Sequence, residues 1–146
     1  MKDQMIIASI QMYSTGDKER NIQTMEKYLE HINKTFPNIK MVVFPELAAH
    51  GSISNMRKEA EIIPGELTST FSNMANKYNL WLIPGSIYEK SDNEIFNTTP
   101  VFSSSGDLLG KYRKRYPWRP NEKTTPGGTH FTFDVDGFGT VGIMIC

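Results

Sequence analysis

A single cysteine, Cys146, stands in a sequence of 146 residues, so no internal disulfide can form. A reducing, cytoplasmic setting is the expectation. An excess of either charge is also missing. Sixteen Lys and Arg face sixteen Asp and Glu, and the formal net charge is zero. That balance excludes a general nucleic-acid surface. No apolar run approaches the roughly 18 residues that a membrane-spanning helix needs, so no membrane partner is expected. The start, MKDQMIIASIQMY, reads as a first strand rather than a signal peptide. His31, His50 and His130 are scattered without ligand spacing, so neither a metal nor another cofactor is expected. Internal repeats and low-complexity segments are absent too.

What is present fits one globular domain, with 38% hydrophobic and 22% charged residues. Met5–Tyr13 reads as a strand rich in β-branched residues. A helix is predicted from Asp17 to Thr35, with Asp17 as its cap and Pro37 as its stop. Ile22, Met25, Leu29, Ile32 and Phe36 form its apolar stripe. Ile39–Phe44 is a short continuous apolar run, suited to a parallel strand covered on both faces. Ala48–Ser54 reads as a loop and Met56–Ile62 as a short helix. After Pro64-Gly65 a second amphipathic helix runs from Glu66 to Tyr78. Leu80–Tyr88 is a third strand, with Pro84-Gly85 at its end or at a bulge. Phe96–Ser103 and Leu108–Lys114 form a hairpin turning at Ser105-Gly106-Asp107. Phe131–Val135 and Thr140–Ile145 form another, turning at Asp136-Gly137. The order implies an α/β fold with a mixed sheet in two or more layers.

Three residues carry candidate chemistry. Glu46 directly follows Pro45 at the carboxyl end of a strand, where ligands of open α/β sheets bind; the alternative is a solvated loop glutamate. The run Gly110–Glu122 packs five basic residues into thirteen. Period-two alternation there turns Lys114 to the face opposite Arg113 and Arg115. Cys146 follows the apolar run Val141–Ile145 and is either a nucleophile or inert core. A thiolate beside an ammonium is stabilised, and a carboxylate can take and return its proton. Glu, Lys and Cys brought together can therefore run a two-step acyl transfer. Trp118 either walls a small apolar pocket or anchors the proline-rich loop, and Tyr116 is grouped with it. Tyr13 is a weaker pocket candidate. His50 either reaches the pocket or bonds within its loop.

Taken together, FPEL at Phe44–Leu47, YRK at Tyr112–Lys114 and VGIMIC at Val141–Cys146 resemble the carbon–nitrogen hydrolase, or nitrilase, superfamily. The resemblance implies an α-β-β-α sandwich of the nitrilase type and hydrolysis of non-peptide C–N bonds. It implies Glu46 as general base, Lys114 as stabiliser of the tetrahedral intermediate and Cys146 as nucleophile. The run YRKRYPWRPNEKTTPG is similar to the aliphatic amidase and formamidase branch, which implies Glu122 as a second active-site glutamate. Arg119 and the run Asn121-Glu122-Lys123 depart from that branch. Substrate-binding roles for Trp118 and Tyr116 complete the candidate site.

The expectation is an amidase that splits a small carboxamide with water through a Cys thioester. It uses no cofactor and acts as a homo-oligomer. A nitrilase or N-carbamoyl amide hydrolase with the same triad is the first alternative, and a non-catalytic binding or assembly subunit the second. Residues 1–146 read as one carbon–nitrogen hydrolase domain truncated after the nucleophile, about half of the usual sandwich. If the catalytic reading holds, Cys146→Ala in the intact protein should abolish ammonia release. Unchanged turnover would defeat it.

Overall fold

The computed structural model describes residues 4–51 and 56–146. Part of the predicted loop Ala48–Ser54 lies outside them. The first strand is shorter than expected: β1 spans Ile6–Ser9, and α1 then runs from Lys18 to Thr35. Asp17 caps α1 as predicted, its Oδ1 accepting from the Arg20 amide at 3.0 Å. Met25, Leu29 and Ile32 of the apolar stripe are buried, whereas Phe36, past the last turn, is exposed. β2 spans Ile39–Val43, α2 Met56–Glu59 and α3 Glu66–Tyr78. All five predicted stripe residues of α3 are buried: Leu67, Phe71, Met74, Ala75 and Tyr78.

The predicted third strand is two strands, β3 at Trp81–Ile83 and β4 at Ile87–Ser91, parted at Pro84–Ser86. The reason is local. Pro84 cannot donate to a ladder, and Gly85 takes a φ of 79°. β5 at Glu94–Phe102 and β6 at Leu108–Arg113 form the expected hairpin. A tight β4–β5 hairpin, with Asp92 at a φ of 53°, precedes it and was not foreseen. β7 at Thr132–Val135 and β8 at Gly139–Gly142 form the last hairpin.

The main sheet runs β1-β2-β3 in parallel, then turns antiparallel at β5. β5 is the hub: it pairs with β3, β4 and β6. Each face of the sheet has its own core. Val42, Leu82, Ile87 and Phe102 meet α1 and α3 on one face. Met41, Ile83, Val101 and Tyr112 meet Phe133, Val135, Ile143 and Ile145 of the β7–β8 segment on the other. Helices, sheet and hairpin thus stack as layers of the nitrilase-type α/β sandwich. The covering of β2 on both faces explains its unbroken apolar run.

A charged cluster closes the helix-side rim. Glu89 is buried and accepts from Lys111 at 2.5 Å, from Arg113 through two nitrogens and from Thr98 at 2.7 Å. Burial alone would raise the Glu89 pKa, but bonds from Arg113, Lys111 and Thr98 outweigh it and leave it below the ordinary value. Glu89→Gln should therefore lower stability by about 2 kcal/mol at neutral pH, read from a urea denaturation midpoint. The native carboxylate's contribution is present above its unfolded pKa and is lost as pH falls through its depressed folded value. The gap between parent and variant should close over that acid range. Equal midpoints at neutral pH would show that the cluster adds nothing.

Candidate active site

Glu46 is held by a turn that begins where β2 ends. Phe44 N–H still bonds Ile83 O at 2.8 Å, keeping the chain in the sheet up to Pro45. Beyond it, Leu47 adopts a φ of 54°, uncommon for a residue with a side chain. The Ser86 hydroxyl accepts the Leu47 amide at 3.0 Å. Asn21, buried on α1, donates to Ala49 O at 3.0 Å and to Thr15 O at 2.7 Å. Gly85 packs directly against this turn, so closely that a Cβ there would lie 1.9 Å from Pro45 O.

Lys114 arrives from β6. Its amide bonds Asn97 O at 2.8 Å and its own carbonyl accepts Gly127 N at 2.8 Å, which fixes the residue just past the strand. Alternation does the rest: Arg113 turns to Glu89 on one face, and Lys114 turns to the other. Only 1% of Lys114 is exposed. Its ammonium donates to Glu46 Oε1 at 2.9 Å and to Glu122 Oε1 at 2.7 Å. Asn97 Nδ2 donates to the same Glu46 oxygen at 2.7 Å. Desolvation would lower the Lys114 pKa, but Glu122 and Glu46 overcome it and raise it above the ordinary value. The group stays an ammonium. Glu122 sits in a loop shaped by Arg119, whose guanidinium donates to the carbonyls of Glu122 and Thr124.

Three of the sequence-predicted residues, Glu46, Lys114 and Glu122, are thus in direct contact. Cys146 is exposed and bonds none of them, but it lines a cavity of about 300 Å³ together with Glu46. Val43, Ser86, Thr99 and Ile145 line the same cavity, between the main sheet and the β7–β8 segment. Trp118 and Tyr116 are exposed, 66% and 78%, and lie outside the bonded cluster. The Trp118 carbonyl accepts the Glu122 amide at 2.8 Å, and the Arg115 guanidinium lies over the Tyr116 ring. Tyr13 is exposed. His50 is buried, and among the described residues neither ring nitrogen has a hydrogen-bond partner. Among the described residues, no group of three or more His, Cys, Asp or Glu could hold a metal ion. No described helix is long and apolar enough to cross a membrane.

Asn97 and Ser86 were missed from sequence. Asn97 carries a faint signal, an amide inside a strand that beyond Glu94 is otherwise apolar or Thr. Ser86 carries none, because its role depends on a turn thirty-nine residues away.

Comparison with known proteins adds an independent finding. Residues 6–146 match the carbon–nitrogen hydrolase family model. A probable nitrilase of Schizosaccharomyces pombe is 33% identical over 96% of this chain and 54% of its own length. The ω-amidase NIT3 of Saccharomyces cerevisiae is 32% identical over 91% of this chain and 51% of its own. The crystal structure of that yeast protein, a member of branch 10 of the nitrilase superfamily, superposes with a TM-score of 0.87 at 31% identity, over 97% of this chain and 55% of that one. An amidase from Nesterenkonia sp. shares the fold at 16% identity, with a TM-score of 0.82 over 100% of this chain and 57% of that one. The chain spans about half the length of these relatives. These findings correct the branch. The whole-chain likeness is to ω-amidase and NIT-type proteins, not to the aliphatic amidases and formamidases suggested by Tyr112–Gly127. That loop reports how Lys114 and Glu122 are held, a need that does not depend on the acyl group.

The close approach of Gly85 to Pro45 gives a direct check on the turn. Gly85→Ala should cost more than about 1 kcal/mol, since the position combines a positive φ with no room for a methyl group. Denaturant unfolding measures it, and a neutral substitution would show that the turn does not lean on Gly85.

Proposed function

The chain belongs to the carbon–nitrogen hydrolase family, and on that premise we propose that the intact protein is an amidase of the ω-amidase type. It would split a terminal carboxamide to acid and ammonia through a thioester on Cys146. The observation that carries this reading is one buried ammonium bonded to two carboxylates, beside a cavity that Glu46 and Cys146 share.

In the proposed sequence Glu46 accepts the thiol proton and the thiolate attacks the carbonyl carbon. Lys114 spends two of its three N–H donors on Glu46 and Glu122, leaving one for the oxygen that gains charge. The tetrahedral intermediate collapses, the C–N bond breaks, and the amine takes the proton from Glu46 and leaves as ammonia. Water, deprotonated by Glu46, then attacks the thioester. The acid departs and the thiol regains its proton. Glu122 holds Lys114 together with Glu46 and helps position the amide. Substrate contacts from Trp118 and Tyr116 are part of the proposal, supported by the Trp118 carbonyl, which accepts the Glu122 amide. The reaction consumes water and needs no cofactor, and a homo-oligomer is part of the proposal.

A nitrile or N-carbamoyl substrate is the second reading, favoured by the likeness to a probable nitrilase. An amide nitrogen brings two donors to the carboxylate of Glu46, which lines the cavity, where a nitrile brings none, and this favours the amide over the nitrile. Ammonia and acid yields from a short amide, its nitrile and an N-carbamoyl amino acid separate the readings. The intact protein should release ammonia fastest from the amide and show a transient acyl-sized mass on Cys146. No ammonia from any short amide would sink the proposal.

A further inference from the structure

One residue of β5 touches both Lys114 and Glu46. Asn97 is 2% exposed and sits between Tyr88 of β4, with which it pairs, and Lys114, whose amide its carbonyl accepts at 2.8 Å. Its side chain shares a face with Thr99, two residues along, which lines the cavity of Glu46 and Cys146. Thr98, between them, turns to Glu89 on the other face. Asn97 itself does not line that cavity, so any effect it has on the reaction passes through its neighbours.

The neighbour its side chain holds is Glu46. Asn97 Nδ2 and Lys114 Nζ both donate to Glu46 Oε1, at 2.7 Å and 2.9 Å. Two donors fill the two lone-pair sites of one carboxylate oxygen. The oxygen left for proton transfer is Oε2, on a side chain that lines the cavity and keeps 30% exposure. Lys114 alone would not impose this division. Its ammonium turns freely and accepts either carboxylate oxygen, or both, and a carboxylate drawn flat against it would be tied up in the ion pair. The Asn97 amide is directional. Carried on a strand, it reaches one oxygen, and with the amide turned over Oδ1 would face Oε1 and repel it. Oδ1 is buried without a partner among the described residues, so the bond made by Nδ2 sets the orientation.

We propose that Asn97 is a positioning residue for the base: its side-chain amide pins Glu46 Oε1 and so presents Oε2 to the thiol of Cys146 and later to water. The thiol proton moves to Oε2 and from there to the leaving nitrogen. This rests on the amidase reading, with Glu46 as general base, and adds what keeps that base aimed. Asn97 also fixes the Lys114 backbone, but through its own carbonyl, which any side-chain substitution retains.

The test uses the intact protein and Asn97→Ser, whose hydroxyl is too short to reach Glu46. On a short amide, kcat should fall about tenfold to a hundredfold while KM stays within about twofold, because Glu46 serves both acylation and hydrolysis and Asn97 touches no substrate. A loss through KM alone, or kcat within about twofold of the parent, overturns the assignment. Alkylation of Cys146 by iodoacetamide at neutral pH reads the same base without turnover, and it decides the matter should no amide release ammonia. Asn97→Ser and Glu46→Gln should each slow it about tenfold, and the double variant should be no slower than Glu46→Gln alone. Additive losses would mark Asn97 as general support for the fold and overturn the proposal. An unchanged rate in Glu46→Gln defeats the base reading and this role with it. A slow rate in Glu46→Gln but not in Asn97→Ser removes Asn97 alone. Should serine prevent folding, Asn97→Asp, which keeps the shape of the side chain without the donor, is read against the same outcomes.

Discussion

A buried ammonium cannot stand alone in a protein interior, and most of the site follows from how this one is compensated. Lys114 is withdrawn from water and answered by Glu46 and Glu122. Those carboxylates lie 76 positions apart in the sequence, the first in a turn after β2 and the second in the loop after β6. Each must be delivered to within hydrogen-bond distance of the same nitrogen. The Ser86–Leu47 bond, the grip of Asn21 on Ala49 and the contact of Gly85 with Pro45 fix the first delivery. Arg119 fixes the second by gathering the carbonyls of its own loop.

Period-two alternation divides the labour of the basic run. Lys111 and Arg113 neutralise Glu89 at one face, while Lys114 serves the cavity face. The opposed faces of Arg113 and Lys114 were legible in the sequence, because alternation needs nothing beyond neighbours, whereas the partner Glu89 was not. The two long helices were legible for the same reason, since cap, stripe and stop all lie within one segment. β2 was legible through its apolar continuity. The contacts of Glu46 and Lys114 became an expectation only when three separate motifs were weighed together.

What could not be read depends on register between distant segments. No feature of Tyr88 alone says that it faces Asn97, and none of Asn97 says that it will touch Glu46. The β4–β5 hairpin was missed because Asp92, not glycine, takes its left-handed position. The third strand was read as one because Pro84-Gly85 signals a break without saying that the chain resumes in the same sheet. The branch of the family was misread for a related reason. A loop sequence was asked about substrate when it encodes support for a lysine.

The alternation of β6 also leaves an ambiguity that the charges do not resolve. Carboxylates lie beside β6 on both faces of the sheet, and a one-residue slip would carry Arg113 toward Glu46 and Glu122 while moving Lys114 away. Electrostatics alone would tolerate either alignment. Gly110 does not. At that point the sheet presses on Phe131, and a Cβ would sit 2.3 Å from its ring. A slipped strand would bring Leu109 or Lys111 into that contact. A residue without charge or side chain thus acts as the keyway of the strand, rejecting a misaligned pairing that its cations would accept.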